Sequence, residues 1–336
     1  MDLRRHPIWK RLDPSRRRLV RTATPLADNL NPFAEDGVIL TPAILYADTF
    51  NSKSAMAYEL LKEKVFSGKI TPETKLCVPS SGNTGLGIAG ICKALGLKCE
   101  IVMSNDTPAP KVGSISALGH PVDVTLLSSG TVQYAREKSS RPGWDTIDQY
   151  SEPKNFMAQF TYLAPQLWTA SDARIDILIV PGGTLGTAAG FRLFFLTNNL
   201  PTTLVLAICA DGQEIPGARD EKRIGQDVTI AKVSEFEHVM TATRYQAFFA
   251  SYMMFGGVDW MPGGPTSGLS LFAALKFLQK HKIAGTLEQF RRSNEKIRVI
   301  FLCPDDYRLY GDLYRSTVNT DDFASSSIPV SKLLEI

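Results

Sequence analysis

The stretch Lys75-Leu76-Cys77-Val78-Pro79-Ser80-Ser81-Gly82-Asn83-Thr84-Gly85, running on to Leu95, decides the fold. Lys75–Val78 reads as a short apolar strand, and Gly85–Leu95 carries the spacing of a helix. The residues between them are small, with hydroxyls or no side chain at all. Such a strand-to-helix turn presents unpaired N–H groups at the positive end of a helix dipole, which suits a phosphate or a carboxylate. The pattern recurs where Ile175–Val180 runs into Pro181-Gly182-Gly183-Thr184-Leu185-Gly186-Thr187 and a helix over Thr187–Leu196. No Gly-Lys-Ser/Thr follows either loop, so neither is a Walker sequence. Neither shows Gly-x-Gly-x-x-Gly with an acidic residue about twenty positions on, the mark of a dinucleotide fold. Either loop alone reads equally well as a tight turn capped by Ser or Thr. Two of them, one rich in hydroxyls and one in Gly, point to anion binding.

Working outward, strand-like and helix-like stretches alternate along the chain, the α/β signature. Further β-rich runs fall at Ile39–Tyr46, Cys99–Met103, Pro121–Leu127, Leu204–Ala210 and Ile297–Leu302. Helical patterns fall at Lys53–Phe66, Lys111–Leu118, Thr131–Lys138, Asn155–Trp168 and Leu269–His281. Several strands are short and unalternating, as expected of parallel strands buried on both faces. The segment Glu152–Asp172 reads as the crossing between two α/β units. The expected organisation is an N-terminal extension over 1–35 packing on the larger domain, a smaller α/β domain over 36–150 and a larger one over 151–336.

Composition narrows the function classes. Of 336 residues 44% are apolar and 21% charged, with a net charge of only +3, which argues against a polyanionic partner such as nucleic acid. The cysteines, Cys77, Cys92, Cys99, Cys209 and Cys303, are scattered in apolar stretches, which suits reduced, buried thiols. His6, His120, His238 and His281 show no metal-ligand spacing, so no metal site is expected. No apolar run reaches the ~18–20 residues of a membrane span. The basic start, MDLRRHPIWKRLDPSRRRLVR, lacks the apolar stretch of a secretory signal and reads as an extension over the domain surface. A cytosolic location is expected.

Asp48-Thr49-Phe50-Asn51-Ser52-Lys53-Ser54 leads into a clear helix over Ala55–Lys64. With Ser52 or Asn51 as the cap, Lys53 would lie in the first helical turn. A cation is disfavoured there, whereas a neutral, nucleophilic amine benefits, because the dipole and burial both lower its pKa. Taken alone, Lys53 is one surface lysine among many.

Together these residues resemble the cysteine synthase branch of the tryptophan-synthase-β-like, fold-type-II pyridoxal-phosphate enzymes. The resemblance is ordered from Thr24 to Tyr314. Thr24-Pro25-Leu26 resembles the family's opening Thr-Pro-Leu, and Asn51-Ser52-Lys53 the segment with the Schiff-base lysine. Ser80-Ser81-Gly82-Asn83-Thr84-Gly85 is similar to the substrate loop and is the most specific match. Gln149-Tyr150 falls where the family has a Gln-Phe pair. Gly183-Thr184-Leu185-Gly186-Thr187 resembles the loop that cradles the cofactor phosphate. Thr266-Ser267-Gly268 is similar to the Ser-Ser-Gly at the pyridine nitrogen, and Cys303-Pro304-Asp305-Asp306 to the final strand-end turn. The chain departs from the pattern at Ser54-Ala55, where close relatives have Asp-Arg, and at Leu185, where Gly is usual. The glycine-rich loop before the third motif is only faintly echoed by Ile215-Pro216-Gly217-Ala218-Arg219.

The resemblance implies two three-layer αβα domains with mainly parallel sheets, pyridoxal 5'-phosphate in the cleft between them, and a homodimer. Lys53 is then the catalytic residue. Lys53, Asn83, Gly183, Thr184, Leu185, Gly186, Thr187 and Thr266 contact the cofactor. Ser80, Ser81, Gly82, Thr84 and Gln149 contact a small amino-acid substrate. A hydroxyl such as Thr266 at the ring nitrogen makes the ring a weaker electron sink than a carboxylate partner would. The expected chemistry is β-replacement on an activated serine through an aminoacrylate, with a small nucleophile as second substrate. Elimination by a lyase or a serine/threonine dehydratase is the alternative, and a non-catalytic member of the fold a further one.

Overall fold

The strands follow one another as β1 (Arg21–Thr22), β2 (Val38–Ile44), β3 (Lys75–Pro79), β4 (Lys98–Ser104) and β5 (Val122–Leu127). Then come β6 (Trp144–Thr146), β7 (Ile177–Pro181), β8 (Thr203–Cys209), β9 (His238–Ala242) and β10 (Ile297–Cys303). The helices are α1 (Ile8–Arg11), α2 (Ser54–Phe66), α3 (Asn83–Leu95), α4 (Ala109–Ser116), α5 (Thr131–Ser139) and α6 (Lys154–Ala158). Beyond them lie α7 (Ala164–Ala170), α8 (Gly186–Thr197), α9 (Glu221–Asp227), α10 (Arg244–Gly256), α11 (Pro265–Ile283) and α12 (Gly311–Thr317). The computed structural model describes residues 2–45, 51–80, 82–256, 263–292 and 295–318, so Ser81 and the segment 46–50 lie outside the described residues.

Two sheets result. One has four parallel strands in the order β5-β4-β3-β6. The other has six in the order β1-β2-β10-β7-β8-β9, parallel except for the antiparallel β1. The crossing segment becomes α6, a π-helical turn over Gln159–Leu163 and α7, and it joins β6 of the small sheet to β7 of the large one. The expected division at residue 36 needs correction, because β2 lies in the six-stranded sheet with Val38 opposite Ile297 and Ile44 opposite Cys303. Backbone pairing between segments so distant in sequence leaves no trace in the local pattern of either strand.

Each sheet is covered on both faces. Met56, Leu60, Ile88 and Ile101 bury one face of the small sheet under α2 and α3, and Ala135 of α5 packs on Cys77 and Val102 on the other. Phe248, Phe272 and Phe301 join α10 and α11 to one face of the large sheet, while Leu167, Phe191 and Ile300 join α7 and α8 to the other. Burying each such side chain contributes about 1.5–3 kcal/mol. The helix pair α10 and α11 lies in unusually close approach, since a Cβ on Gly268 would fall 1.9 Å from Ala247 O.

The N-terminal extension also differs from expectation. Leu3, Ile8 and Trp9 pack in the core of the small sheet, while Leu19, Val20 and Phe33 join the large-sheet cores, so the extension packs on both. All five cysteines are free and buried. Among the described residues no helix is long and apolar enough to cross a membrane. The turns after β3 and β7 sit at carboxyl ends of parallel strands, where α/β sheets commonly bind ligands.

Candidate active site

Local hydrogen bonds set the start of α2. Asn51 Oδ1 accepts from Lys53 N at 2.8 Å, and Ser54 Oγ donates to Asn51 O at 2.9 Å. Asn51 Nδ2 donates to Asn83 O at 3.0 Å, tying this turn to the start of α3. Lys53 is the residue capping α2, one position before the helical turn in which it was expected. Its Nζ donates to Thr187 Oγ1 at 3.2 Å, so the lysine reaches from the small sheet's helix to the loop after β7. Burial pushes its ammonium down to about 8. Ser52 Oγ beside it is buried with no hydrogen-bond partner.

The loop after β7 is shaped by contacts that only glycine allows. A Cβ on Gly183 would lie 2.5 Å from Gly217 O, and one on Gly186 would lie 2.1 Å from Asn155 Oδ1. Leu185 caps α8 at φ 60°, a left-handed conformation that usually belongs to Gly. Its side chain is buried in the large-sheet core, which offsets the backbone strain. The Leu at this position is thus accommodated with its N–H still at the helix start. Thr184 Oγ1 accepts from Asn155 Nδ2 at 2.9 Å, and Thr187 Oγ1 accepts from Lys53. Each hydroxyl has one proton, and accepting these bonds leaves that proton for a further acceptor. Two donor hydroxyls and the open N–H groups of the first turn of α8 therefore converge on one place.

In the loop after β3, Ser80 Oγ accepts from Gly85 N at 2.9 Å and from Gly82 N at 3.4 Å. Ser80 is buried and shapes the turn itself. Gly82 caps α3, and the space a Cβ would take there is open. Thr84 Oγ1 donates to Gln149 Oε1 at 2.7 Å, which leaves the Gln149 amide N–H groups as donors. The Gln149 carbonyl accepts from Asn155 Nδ2 at 2.7 Å.

Thr266 lies at the start of α11. Its N–H and that of Ser267 donate to the two oxygens of Asp305 at 2.9 and 3.0 Å, and Ser267 Oγ donates to Asp305 Oδ1 at 2.6 Å. Burial raises the Asp305 carboxyl above the usual carboxylate range, and these bonds offset only part of that rise. Thr266 Oγ1 donates to Pro216 O at 2.5 Å, so its one proton is engaged within the protein. A Cβ on Gly217 would lie 2.8 Å from that hydroxyl, which places Thr266 across Gly217 from Gly183. The faint echo at Ile215–Arg219 thus proves to be the link between the two loops. Arg219 from the same segment donates to Tyr150 OH at 2.8 Å and pairs with Asp227.

Two hydrogen-bonded chains result, one joining Asn83, Lys53 and Thr187 through Asn51, the other joining Thr84, Gln149 and Thr184 through Asn155. Gly183, Leu185 and Gly186 shape the same loop, and Thr266 borders it. Asn155 was missed by sequence reasoning, because an Asn in a helical pattern carries no mark of the two loops it bridges. Lys111, also missed, sits 4.5 Å from the Tyr310 ring centroid and is pushed down by burial to about 8.

A family model described as pyridoxal-phosphate dependent enzyme matches residues 49–252. Cystathionine beta-synthase of Apis mellifera is 27% identical over 275 residues, covering 77% of this chain and 52% of that protein. Cysteine synthase B of Escherichia coli (strain K12) is 27% identical over 170 residues, covering 50% of this chain and 56% of that protein. The chain spans about half the length of these curated relatives. The crystal structure of cysteine synthase from Entamoeba histolytica superposes with a TM-score of 0.79 at 17% identity, covering 97% of this chain and 95% of that one, a likeness of fold. A buried amine held against an anion-seeking loop lies inside the matched span, and that span exceeds half of the 336 residues. On these grounds the chain belongs to the family of pyridoxal-phosphate dependent enzymes.

Proposed function

We propose that this chain carries out β-replacement on an activated serine-type amino acid, using pyridoxal phosphate held by Lys53 and the loop Gly183–Thr187. The observation that carries the reading is the Lys53 amine, buried and set against Thr187 of the anion-seeking loop. The residues fit the cofactor. The buried Ser52 Oγ without a partner and the glycine-shaped turn at Gly183 mark a place prepared for a polar group. Thr184, Thr187 and the N–H groups of Gly186 and Thr187 would hold its phosphate and Asn83 its ring, with the Thr266 hydroxyl, its proton on Pro216 O, beside the ring. When bound, the cofactor supplies an aldehyde that condenses with amines and a ring that takes up the electron pair released at the substrate α-carbon.

The protein's own part is proton handling and orientation. Thr84 is spent on Gln149 Oε1, so the Gln149 amide is aimed as a donor at a substrate carboxylate. Lys53 Nζ, neutral in a large fraction near pH 8, takes the α-proton and later returns it. The β-substituent leaves with its bonding pair, and a small nucleophile bonds to the β-carbon. The same site would run an elimination if water were the only second reactant. Cystathionine beta-synthase and cysteine synthase among the relatives support the replacement reading. We further propose that the protein acts in the cytosol as a homodimer.

The test is to incubate the cofactor-loaded protein with O-acetyl-L-serine or O-phospho-L-serine, with and without sulfide or a thiol. A thiol-dependent amino-acid product is expected. Pyruvate and ammonia formed at the same rate with or without thiol would assign elimination instead. Turnover retained in Lys53→Ala would overturn the site.

A further inference from the structure

The Asn155 side chain is fully buried, yet no step of the proposed chemistry uses it. Its Nδ2 lies 2.7 Å from Gln149 O and 2.9 Å from Thr184 Oγ1. A carbonyl oxygen only accepts, so the amide end facing Gln149 must be the nitrogen, and this settles which way the amide points. The same nitrogen only donates, so the Thr184 hydroxyl must accept from it. Thr184 then has one proton left, directed away from Asn155. The amide has little room to turn, because a Cβ on Gly186 would sit 2.1 Å from Oδ1. One turn on, a Cβ on Gly190 would sit 2.7 Å from Phe156 O and 2.5 Å from Gln159 Cβ. Gly186 of α8 thus closes on the Asn155 amide itself, and Gly190 on the helix backbone that follows it.

We propose that Asn155 is a positioning residue that makes Thr184 a hydrogen-bond donor to the cofactor phosphate, while fixing the Gln149 carbonyl with the same nitrogen. The inference rests on the proposed function, in which the loop Gly183–Thr187 holds that phosphate. Asn155 acts on the anion only through Thr184. An Asn155→Asp carboxyl oxygen in place of the nitrogen would draw the Thr184 proton to itself, and the phosphate would lose a donor.

The experiment compares binding of pyridoxal phosphate with binding of pyridoxal, which has the ring and aldehyde but no phosphate. Dissociation constants are measured by absorption and fluorescence titration for wild type, Asn155→Asp, Thr184→Val and the double variant. Each single variant is expected to lose roughly ten- to a hundredfold of the preference for the phosphate form, the worth of one hydrogen bond to a charged group. Binding of pyridoxal should change little, and the double variant should lose no more than the larger single loss. Equal weakening of both ligands in Asn155→Asp, or losses that multiply in the double variant, would overturn the proposal. If Asn155→Asp does not fold, a Thr184→Val protein with undiminished phosphate preference overturns it alone. A wild type that binds neither ligand would instead remove the proposed function beneath it.

Discussion

Lys53 shows how a single side chain changes meaning with its surroundings. Its ammonium, ordinarily near 10.5, is pushed to about 8 by burial. Attachment of pyridoxal phosphate needs the neutral amine, so its rate should rise about tenfold per pH unit up to pH 8 and level off above it. Stopped-flow absorption across pH 6–10 checks this, and an unshifted lysine would show a rise continuing to pH 10. In the cofactor-free protein the unfolded chain holds this proton more tightly than the folded one. The penalty is therefore full below about pH 8 and fades as pH rises toward 10.5. Lys53→Met should stabilise the cofactor-free protein by about 1–3 kcal/mol at pH 7, with the gain vanishing toward pH 10 in urea titrations. Leu185 poses the opposite balance, with strain at φ 60° against burial of its side chain. Leu185→Ala keeps the strain and loses the burial, at about 2–5 kcal/mol. Leu185→Gly loses the burial but relieves about 1 kcal/mol of strain, so the glycine variant should melt above the alanine one. The residue type at both positions was readable in the sequence, but the energies that decide their roles come from what surrounds them.

At the scale of elements, α11 depends on an acceptor supplied from far along the chain. Asp305, just beyond β10, accepts from the N–H groups of Thr266 and Ser267 and from the Ser267 hydroxyl. Asp305→Ala would leave these donors buried without partners, and the expected loss is about 2–4 kcal/mol in thermal unfolding. Its companion sign should be weaker cofactor binding, because Thr266 opens the helix that Asp305 holds. The sequence marks α2, α3 and α8 well, since their starts carry Ser, Asn, Thr or Gly next to periodic apolar residues. It hides α10, where Phe248, Phe249 and Met254 make the helix apolar around much of its girth, so no polar stripe betrays the period. β9 escapes for another reason. It is an edge strand, largely half-buried, whose His, Thr and Met spell no alternation.

For the whole molecule, the N-terminal extension joins the two cores. Trp9 packs edge-on against Tyr58 at 5.7 Å and Phe66 at 6.0 Å, and its carbonyl accepts from Tyr58 OH at 3.0 Å. Further on, Leu19 N donates to Gln166 Oε1 at 2.8 Å, next to the large-sheet helices. Trp9→Ala should therefore cost about 3–5 kcal/mol, with hydrogen exchange rising first over α2 and α3 and not over α11. The sequence by itself determined the order of most of the strands and helices, the two loops that seek an anion and the lysine placed near a helix start. These follow from apolar periodicity and capping chemistry, which act between residues a few positions apart. Tertiary structure alone decided that β2 pairs with β10, that Asn155 spans Gln149 and Thr184, and that the Thr266 proton goes to Pro216. Those choices set hydrogen-bond partners across sheets, and a partner distant in sequence is chosen by packing, on which no local pattern bears.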